Sequence, residues 1–497
     1  MTAIDRTAEA TSEGPPGTDP ARLSRAHKTV IGTLLVATFV VILNETIMNV
    51  ALPQLMIDLD VTASTVQWLS TAFLLTMGVV IPTTGFLLQR LPTRTVFILA
   101  MGLFSTGTLL AAVAQGFWML LAARIVQASG TAIMLPLLMT TILALVPVAR
   151  RGLVMGNVSI AISVAPAIGP TVSGVILQYL SWRFMFVIVL PIALATLVLG
   201  ARLLGAVTEP SRQRLDVVSV LLSVPAFGGL VFGLSRLGEG GGEGLSTALG
   251  SLALGVLCLL AFGRRQLRLA RGGDPLLDLR AFRYPMFSLS LTMLCITMIA
   301  LFGMIILLPI YLQTIRGLDS LQTGLLLLPG GLLMGLAGPV VGRLFDRHGP
   351  RGLATFGALL LVSTMWLFST VDAGTPVWML VGNHLVLSLG LACLFTPAFT
   401  TALNPLPPSL HSHGSAILST LQQVAGAAGT ALLVAIMTGR AASLTASGTP
   451  ALAAQGEGLQ TAFAVAAVAA LGAVACALFL KNEGAPEGAR ASERAIH

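Results

Sequence analysis

Long apolar runs separated by short polar gaps set the rhythm of this chain. From Val30 to Leu480, hydrophobic segments of about 20 residues recur, the length a helix needs to cross a bilayer core about 30 Å thick. The pattern predicts fourteen spans, at 29–51, 66–88, 95–115, 118–143, 154–178, 184–205, 215–235, 245–263, 286–312, 320–340, 352–371, 376–400, 414–437 and 460–481. The fourth, fifth and ninth are long enough to tilt or bend. The Gly-rich stretch from Gly238 to Gly244 is the clearest break between them.

Composition agrees with the pattern. Hydrophobic residues make up 55% of the 497 positions and charged residues 10%, where a water-soluble domain carries about a quarter charged. The fold class is therefore an all-α polytopic membrane protein. The net charge of +8 does not signal nucleic-acid binding, because Lys and Arg sit in gaps too short to fold as a binding domain. With fourteen spans, 23 Lys and Arg fall on the face that holds both termini and four, Arg183, Arg236, Arg316 and Arg440, on the other. That bias places both termini in the cytoplasm of a multi-pass cell-membrane protein. Residues 1–20 are polar and acidic, a pattern of disorder rather than of a signal peptide. The four cysteines lie within apolar runs without CxxC spacing and read as small buried hydrophobes.

The spans contain an internal repeat. Gly85, Gln89, Arg90 and Arg94 after the second span match Gly342, Asp346, Arg347 and Arg351 after the tenth, at an offset of 257 residues or eight spans. An even offset makes the two copies parallel, as in transporters whose halves rock about a central site. The parse is six spans, two inserted spans and six more: a disordered cytoplasmic terminus at 1–28, a six-helix bundle at 29–205, inserted helices at 206–265, a cytoplasmic linker at 266–285, a second bundle at 286–481 and a tail at 482–497.

Candidate chemistry resides in the few polar residues kept within the spans. Glu45 is the one acid deep in a span, Arg124 the one base, and each is costly there unless paired or hydrated. Both fall roughly 9 Å below the outer boundary at 1.5 Å per residue, so they can meet across the bundle. Asn44 and Asn49 flank Glu45, and Gln127 lies one turn from Arg124. Glu45 fits a proton-exchanging carboxylate; the alternative is a structural pair with Arg124. In the fifth span Pro166, Gly169, Pro170 and Gly174 suggest a bent, closely packed helix that seals a bundle interface, or plain packing. Pro329, Gly330 and Gly331 suggest a comparable irregularity in the tenth. Arg90, Arg94, Asp346, Arg347 and Arg351 form a candidate cytoplasmic latch or else a topology determinant, with Gln89 making the first copy the weaker one. Asn383 and His384, and Gln422 and Gln423, are positioned to line a cavity or to bond across helices. His411 and His413 lack the company a metal site needs, and no metal is expected. Nucleotide-binding and hydrolytic motifs such as GxxxxGK[ST] and HExxH are missing from the sequence, so no enzyme is expected.

The chain resembles the fourteen-span drug:proton antiporters of the major facilitator superfamily. The resemblance rests on Leu43 to Pro53, on Arg124, Gln127 and Gly130, on Ala165 to Gly174, on Trp182 to Phe186, and on Gly342 to Arg351. It implies a major facilitator fold of 6+2+6 helices and export of hydrophobic or amphiphilic compounds in exchange for protons, with no cofactor beyond the proton gradient. The family commonly has Asp where this chain has Asn44, the acid being shifted here to Glu45, as in a branch associated with lincosamide and broader antibiotic export. It also has Asp where this chain has Gln89. One deep acid favours neutral or monovalent substrates, and the expected functional unit is a monomer. Competing readings are an exporter or flippase for one lipid or metabolite and a non-transporting membrane sensor or assembly protein.

Overall fold

The computed structural model describes residues 24–205, 216–238, 245–272 and 275–481. The polar terminus before residue 24, the tail at 482–497, the glycine-rich stretch at 239–244, and Arg6, Arg22, Arg212, Arg214, Arg490 and Arg494 lie outside the described residues. So do the side chains of Asn49 and Pro170.

Among the described residues, fourteen helices are long and apolar enough to cross a membrane: α1 (Arg25–Asp58), α2 (Ala63–Arg90), α3 (Thr93–Ala112), α4 (Phe117–Leu145), α5 (Arg151–Tyr179), α6 (Arg183–Leu203), α7 (Val217–Gly238), α8 (Leu245–Gly272), α9 (Pro285–Ile310), α10 (Ser320–His348), α11 (Pro350–Phe368), α12 (Val377–Leu403), α13 (His411–Ala446) and α14 (Ala451–Leu478). Their ends follow local chemistry. The Ser24 hydroxyl accepts from the His27 amide to start α1, and Asp319 and Gln322 form a reciprocal capping box at α10. Gly349, at φ 77°, breaks α10 from α11 in a conformation that glycine tolerates, and Pro350 opens α11 with φ already set.

Several helix ends run beyond the hydrophobicity pattern. The α1 helix continues past residue 51 to Asp58, and α14 begins at Ala451 rather than 460, because a helix needs no apolar residues once it leaves hydrocarbon. The segment expected as a linker from 266 begins as helix, since α8 runs to Gly272. Nor is α10 irregular at Pro329-Gly330-Gly331. It is helical throughout, and the glycines serve close packing instead: a Cβ on Gly330 would overlap the His384 ring, and one on Gly331 would overlap Ala167. The α5 helix is likewise continuous through Pro166 and Pro170. The ninth span does end irregularly, in a π-helical turn at Tyr311–Ile315.

Helices α1 to α6 pack on one another, as do α9 to α14. The α7–α8 hairpin lies alongside the line where α2 meets α13, with α7 touching both. Trp68 of α2 stacks on Phe232 of α7 at 5.7 Å, and Phe227 of α7 meets Phe262 of α8 edge-on. The two groups meet mainly along α5 and α10. There Gly152 faces Gly342, Gly156 faces Gly338, and Ala167 faces Gly331, each pair so close that any side chain at the glycine would overlap its neighbour. The seam is tight at the end that begins α5 and ends α10. Further along α5, a Cβ on Gly174 would meet nothing.

Candidate functional site

The end where the seam is closed is also the arginine-rich face. Its helix termini carry Arg90, Arg94, Arg202, Arg343, Arg347 and Arg351, all exposed. Several bonds tie the two helix groups together there. Asp346, near the end of α10, accepts from the amides of Gly152 and Leu153 at 2.9 Å each. These are free donors of the first turn of α5, where the helix dipole favours an anion. Arg151, 8% exposed, donates to the Val146 and Leu143 carbonyls that α4 leaves unpaired and, at 2.9 Å, to Asn404 after α12. The Gln89 amide donates to the Ser409 carbonyl at 2.9 Å, and Ser159 shares a 3.2 Å hydroxyl bond with Thr396. Beneath these bonds, 391–403 of α12 and 411–420 of α13 are buried without interruption.

Of the five residues expected to form a latch, Asp346 reaches across the seam. Arg94, Arg347 and Arg351 are exposed, and Arg90 lies exposed over the Phe86 ring of its own helix. Asp346 meets backbone amides rather than an arginine. The residues that sequence reasoning missed are Arg151, Asn404 and Gly152. Arg151 was counted as one more cytoplasmic charge, and only its place just after α4 could have signalled a helix-capping role. Gly152 has no freedom to change, because a Cβ there would overlap both the Asp346 carboxylate and the Gly342 carbonyl.

Just beyond the closed half lies the polar cluster. Arg124 of α4 is 1% exposed, donates to Gln127 at 2.7 Å and lies 4.0 Å over the Phe73 ring of α2. Gln127, fully buried, passes the chain on to Thr108 of α3 at 2.8 Å. Glu45 of α1 is half-buried and interacts with Arg124 through space, without a direct ion pair between them among the described residues. The Arg124 Nε and the Asn44 Oδ1 are buried without a hydrogen-bond partner. A carboxylate beside a fixed guanidinium that is otherwise engaged can gain or lose a proton without breaking a bond of its own. One residue on, Thr46 packs against α5, where a Cβ on Gly169 would overlap its hydroxyl.

The remaining candidates divide. Gly169 is packed against α1, whereas Gly174 has open space around it, so close packing does not explain a glycine there; Pro166 is half-buried. Asn383 donates to the Thr364 carbonyl of α11 at 3.1 Å, a bond within its own helix group. The His384 ring is held against Gly330, with its Nδ1 buried and unpartnered. Gln422 is buried with its amide nitrogen unpartnered, and Gln423 is half-buried. His411 and His413 open α13, with His413 buried against Gly85. Outside the spans, the Arg265 bond holds the Asp216 carboxyl down at about 2. At Asp278 burial works upward, and the Arg280 bonds outweigh it, keeping that carboxyl below the usual range.

The sequence matches a known family over most of its length: the Major Facilitator Superfamily model matches residues 34–430. The chain belongs to the major facilitator superfamily. It is a multi-pass membrane protein of a transporter family. It is 42% identical over 420 residues to the lincomycin resistance protein LmrB of Bacillus subtilis, covering 84% of this chain and 87% of that one. It is 41% identical over 457 residues to the MFS-type transporter YcnB of the same organism, covering 92% and 96%. Among solved structures, a human organic anion transporter (TETRAN) aligns with a TM-score of 0.66 at 16% identity over 91% of this chain and 99% of that one. The proton:xylose symporter XylE aligns with a TM-score of 0.61 at 16% identity over 90% and 95%. Both confirm the superfamily fold.

Proposed function

We propose that this chain is a proton-driven exporter of hydrophobic or amphiphilic drugs, lincosamides among them, with Glu45 as the group that carries the proton. The observation that carries the reading is the Glu45–Arg124 arrangement: a half-buried carboxylate acted on through space by a guanidinium whose own bond goes to Gln127. Protonation removes the attraction to Arg124, and deprotonation restores it. Each proton taken up or released therefore alters how strongly α1 is held to α4.

The arginine-rich face is read as cytoplasmic, with both termini there. On that reading the closed seam is the cytoplasmic gate and the conformer faces outward. Asp346 is the latch residue that holds it, with Arg151 and Gln89 beside it. Glu45 lies just beyond the sealed half, where it would meet external protons. Residues 29–205 and 286–481 are the rocking halves, in a transporter that works as a monomer. The similarity to LmrB favours lincosamides. A single deep acid suits neutral or monovalent compounds, since a dication would leave a charge uncompensated in hydrocarbon.

The test is reconstitution in vesicles with an imposed pH gradient, comparing wild type with Glu45→Gln against lincomycin and a panel of hydrophobic drugs. The expected outcome is uphill export by wild type and its loss in the Gln variant, with the variant still folded in the membrane. Uphill export that survives in the variant rejects Glu45 as the proton carrier.

A further inference from the structure

One stripe of α8 changes character as it nears the arginine-rich face. Leu257, Leu260, Arg264, Arg268 and Arg271 follow at steps of three or four residues and so share a helix face. Leu257 is 66% and Leu260 57% exposed, and the three arginines are exposed as well. The opposite face is fixed. Gly255 packs against Gly229 and Leu230 of α7, and Gln266, fully buried, donates to Ser219 at 2.6 Å and accepts from the Leu277 amide at 3.1 Å. Among the described residues α8 is the least buried of the fourteen spans, so the leucines of this stripe are placed to face acyl chains.

The arginines differ in what they do. Arg265 lies off the stripe and is bidentate to Asp216, at 2.6 and 2.7 Å. Arg264, Arg268 and Arg271 show no acidic partner among the described residues. From Leu257 to Arg271 the helix rises about 21 Å, so the same lipid-facing column passes from acyl-chain depth to the level of the headgroups. A ligand that fits this column is anionic at one end and hydrocarbon at the other. We propose that the Arg264, Arg268 and Arg271 stripe of the inserted hairpin is a binding site for anionic phospholipid in the leaflet at the arginine-rich face. A soluble phosphate would engage the arginines and leave the leucines without a role. The stripe is also rigid before the lipid arrives, because the buried face of α8 already holds it, and little ordering entropy is lost on binding. Each cation near an anionic headgroup layer contributes about fivefold in affinity, and three together about a hundredfold if they add.

The test uses the full-length protein in neutral detergent and measures retention of phosphatidylglycerol over phosphatidylcholine by native mass spectrometry. Wild type should prefer phosphatidylglycerol, and R264Q/R268Q/R271Q should lose roughly ten- to a hundredfold of that preference. The charge-matched R25Q/R202Q/R283Q, which removes three exposed arginines elsewhere on the same face, should keep most of it. Equal losses in both variants, or no preference in wild type, overturn the proposal. Displacement of the lipid by modest concentrations of soluble glycerol phosphate also overturns it, by showing that the headgroup alone is bound. Wild type carries a further arm that needs no variant: raised ionic strength should weaken the preference through screening, and a preference indifferent to salt refutes the site.

Discussion

The two copies of the repeated loop close the same face by opposite chemistry. Near the end of α10, the Asp346 carboxylate accepts from two backbone amides at the start of α5. Near the end of α2, the Gln89 amide gives one hydrogen to the Ser409 carbonyl before α13. Their surroundings differ in the same sense. The α5–α10 seam is backbone against backbone through Gly152, Gly156, Gly338 and Gly342, whereas at the α2–α13 line Gly85 meets the larger His413 side chain and α7 packs alongside. A seam of glycines with a charge at a helix start tolerates almost no change in separation. A seam of side chains with one neutral bond can adjust. The difference makes α5–α10 the stiffer of the two contacts and Asp346 the more firmly bonded of the two loop residues.

The largest effect should come from breaking the glycine seam. In Gly156→Val the new side chain would overlap the Gly338 backbone carbonyl, which cannot rotate away, so the closed arrangement should lose about 3 kcal/mol, the upper end for overpacking. A cysteine placed at Ser159, 4% exposed in the wild type, reports the opening by its rate of reaction with a membrane-impermeant thiol reagent applied to the arginine-rich face. The rate should rise steeply in this variant. An unchanged rate would mean the seam is not what closes this end.

Next in size is Asp346→Asn. Asparagine keeps one acceptor but turns an NH2 group toward the second amide, so the variant loses a charge-assisted bond and gains a donor–donor clash, about 1.5–3 kcal/mol. The same reporter should react faster, though less so than with Gly156→Val. Gln89→Asp sharpens the comparison because it restores the residue found in the other copy. A carboxylate facing the Ser409 carbonyl has nothing to accept, so the change should weaken the gate by about 0.5–1.5 kcal/mol, and Gln89→Ala should be milder. A tighter gate in Gln89→Asp would show that the two loops work alike after all.

Much of this was legible in the sequence and some was not, for physical reasons. The fourteen spans follow from length and hydropathy, since hydrocarbon admits few alternatives. The repeat offset singled out Asp346, which does reach the α5–α10 seam, but not the amides it meets there. Backbone amides at a helix start carry no residue signature, and Gly152 looks like any other glycine. Arg151 was hidden among the topology charges because its three bonds go to carbonyls of Val146 and Leu143 and to Asn404, groups distant in sequence or uniform along it. Glu45 and Arg124 were legible because a charge at depth is rare enough to stand out. Asn383 stayed open between two readings for the converse reason: a buried amide is equally at home facing a cavity or, as here, bonding across helices to the Thr364 carbonyl.

The smallest expected effect concerns the hairpin that flanks the softer seam. Asp216 joins the start of α7 to the end of α8 through Arg265 and accepts from the amide and hydroxyl of Ser219. The Arg265 bond depresses its carboxyl from the ordinary 3.8 to about 2. A depressed folded-state value means the pair stabilises fully above the unfolded value and is lost as pH falls through the folded one. Asp216→Asn should therefore lower the melting temperature slightly and by a constant amount from neutral pH down to about 4, and the gap to wild type should close between about 4 and 2. A gap that already narrows between pH 7 and 5 would show that another group titrates the hairpin. The adaptable α2–α13 line would then be pH-sensitive in the range where transport is measured, and the contrast with the glycine seam would have to be redrawn around that group.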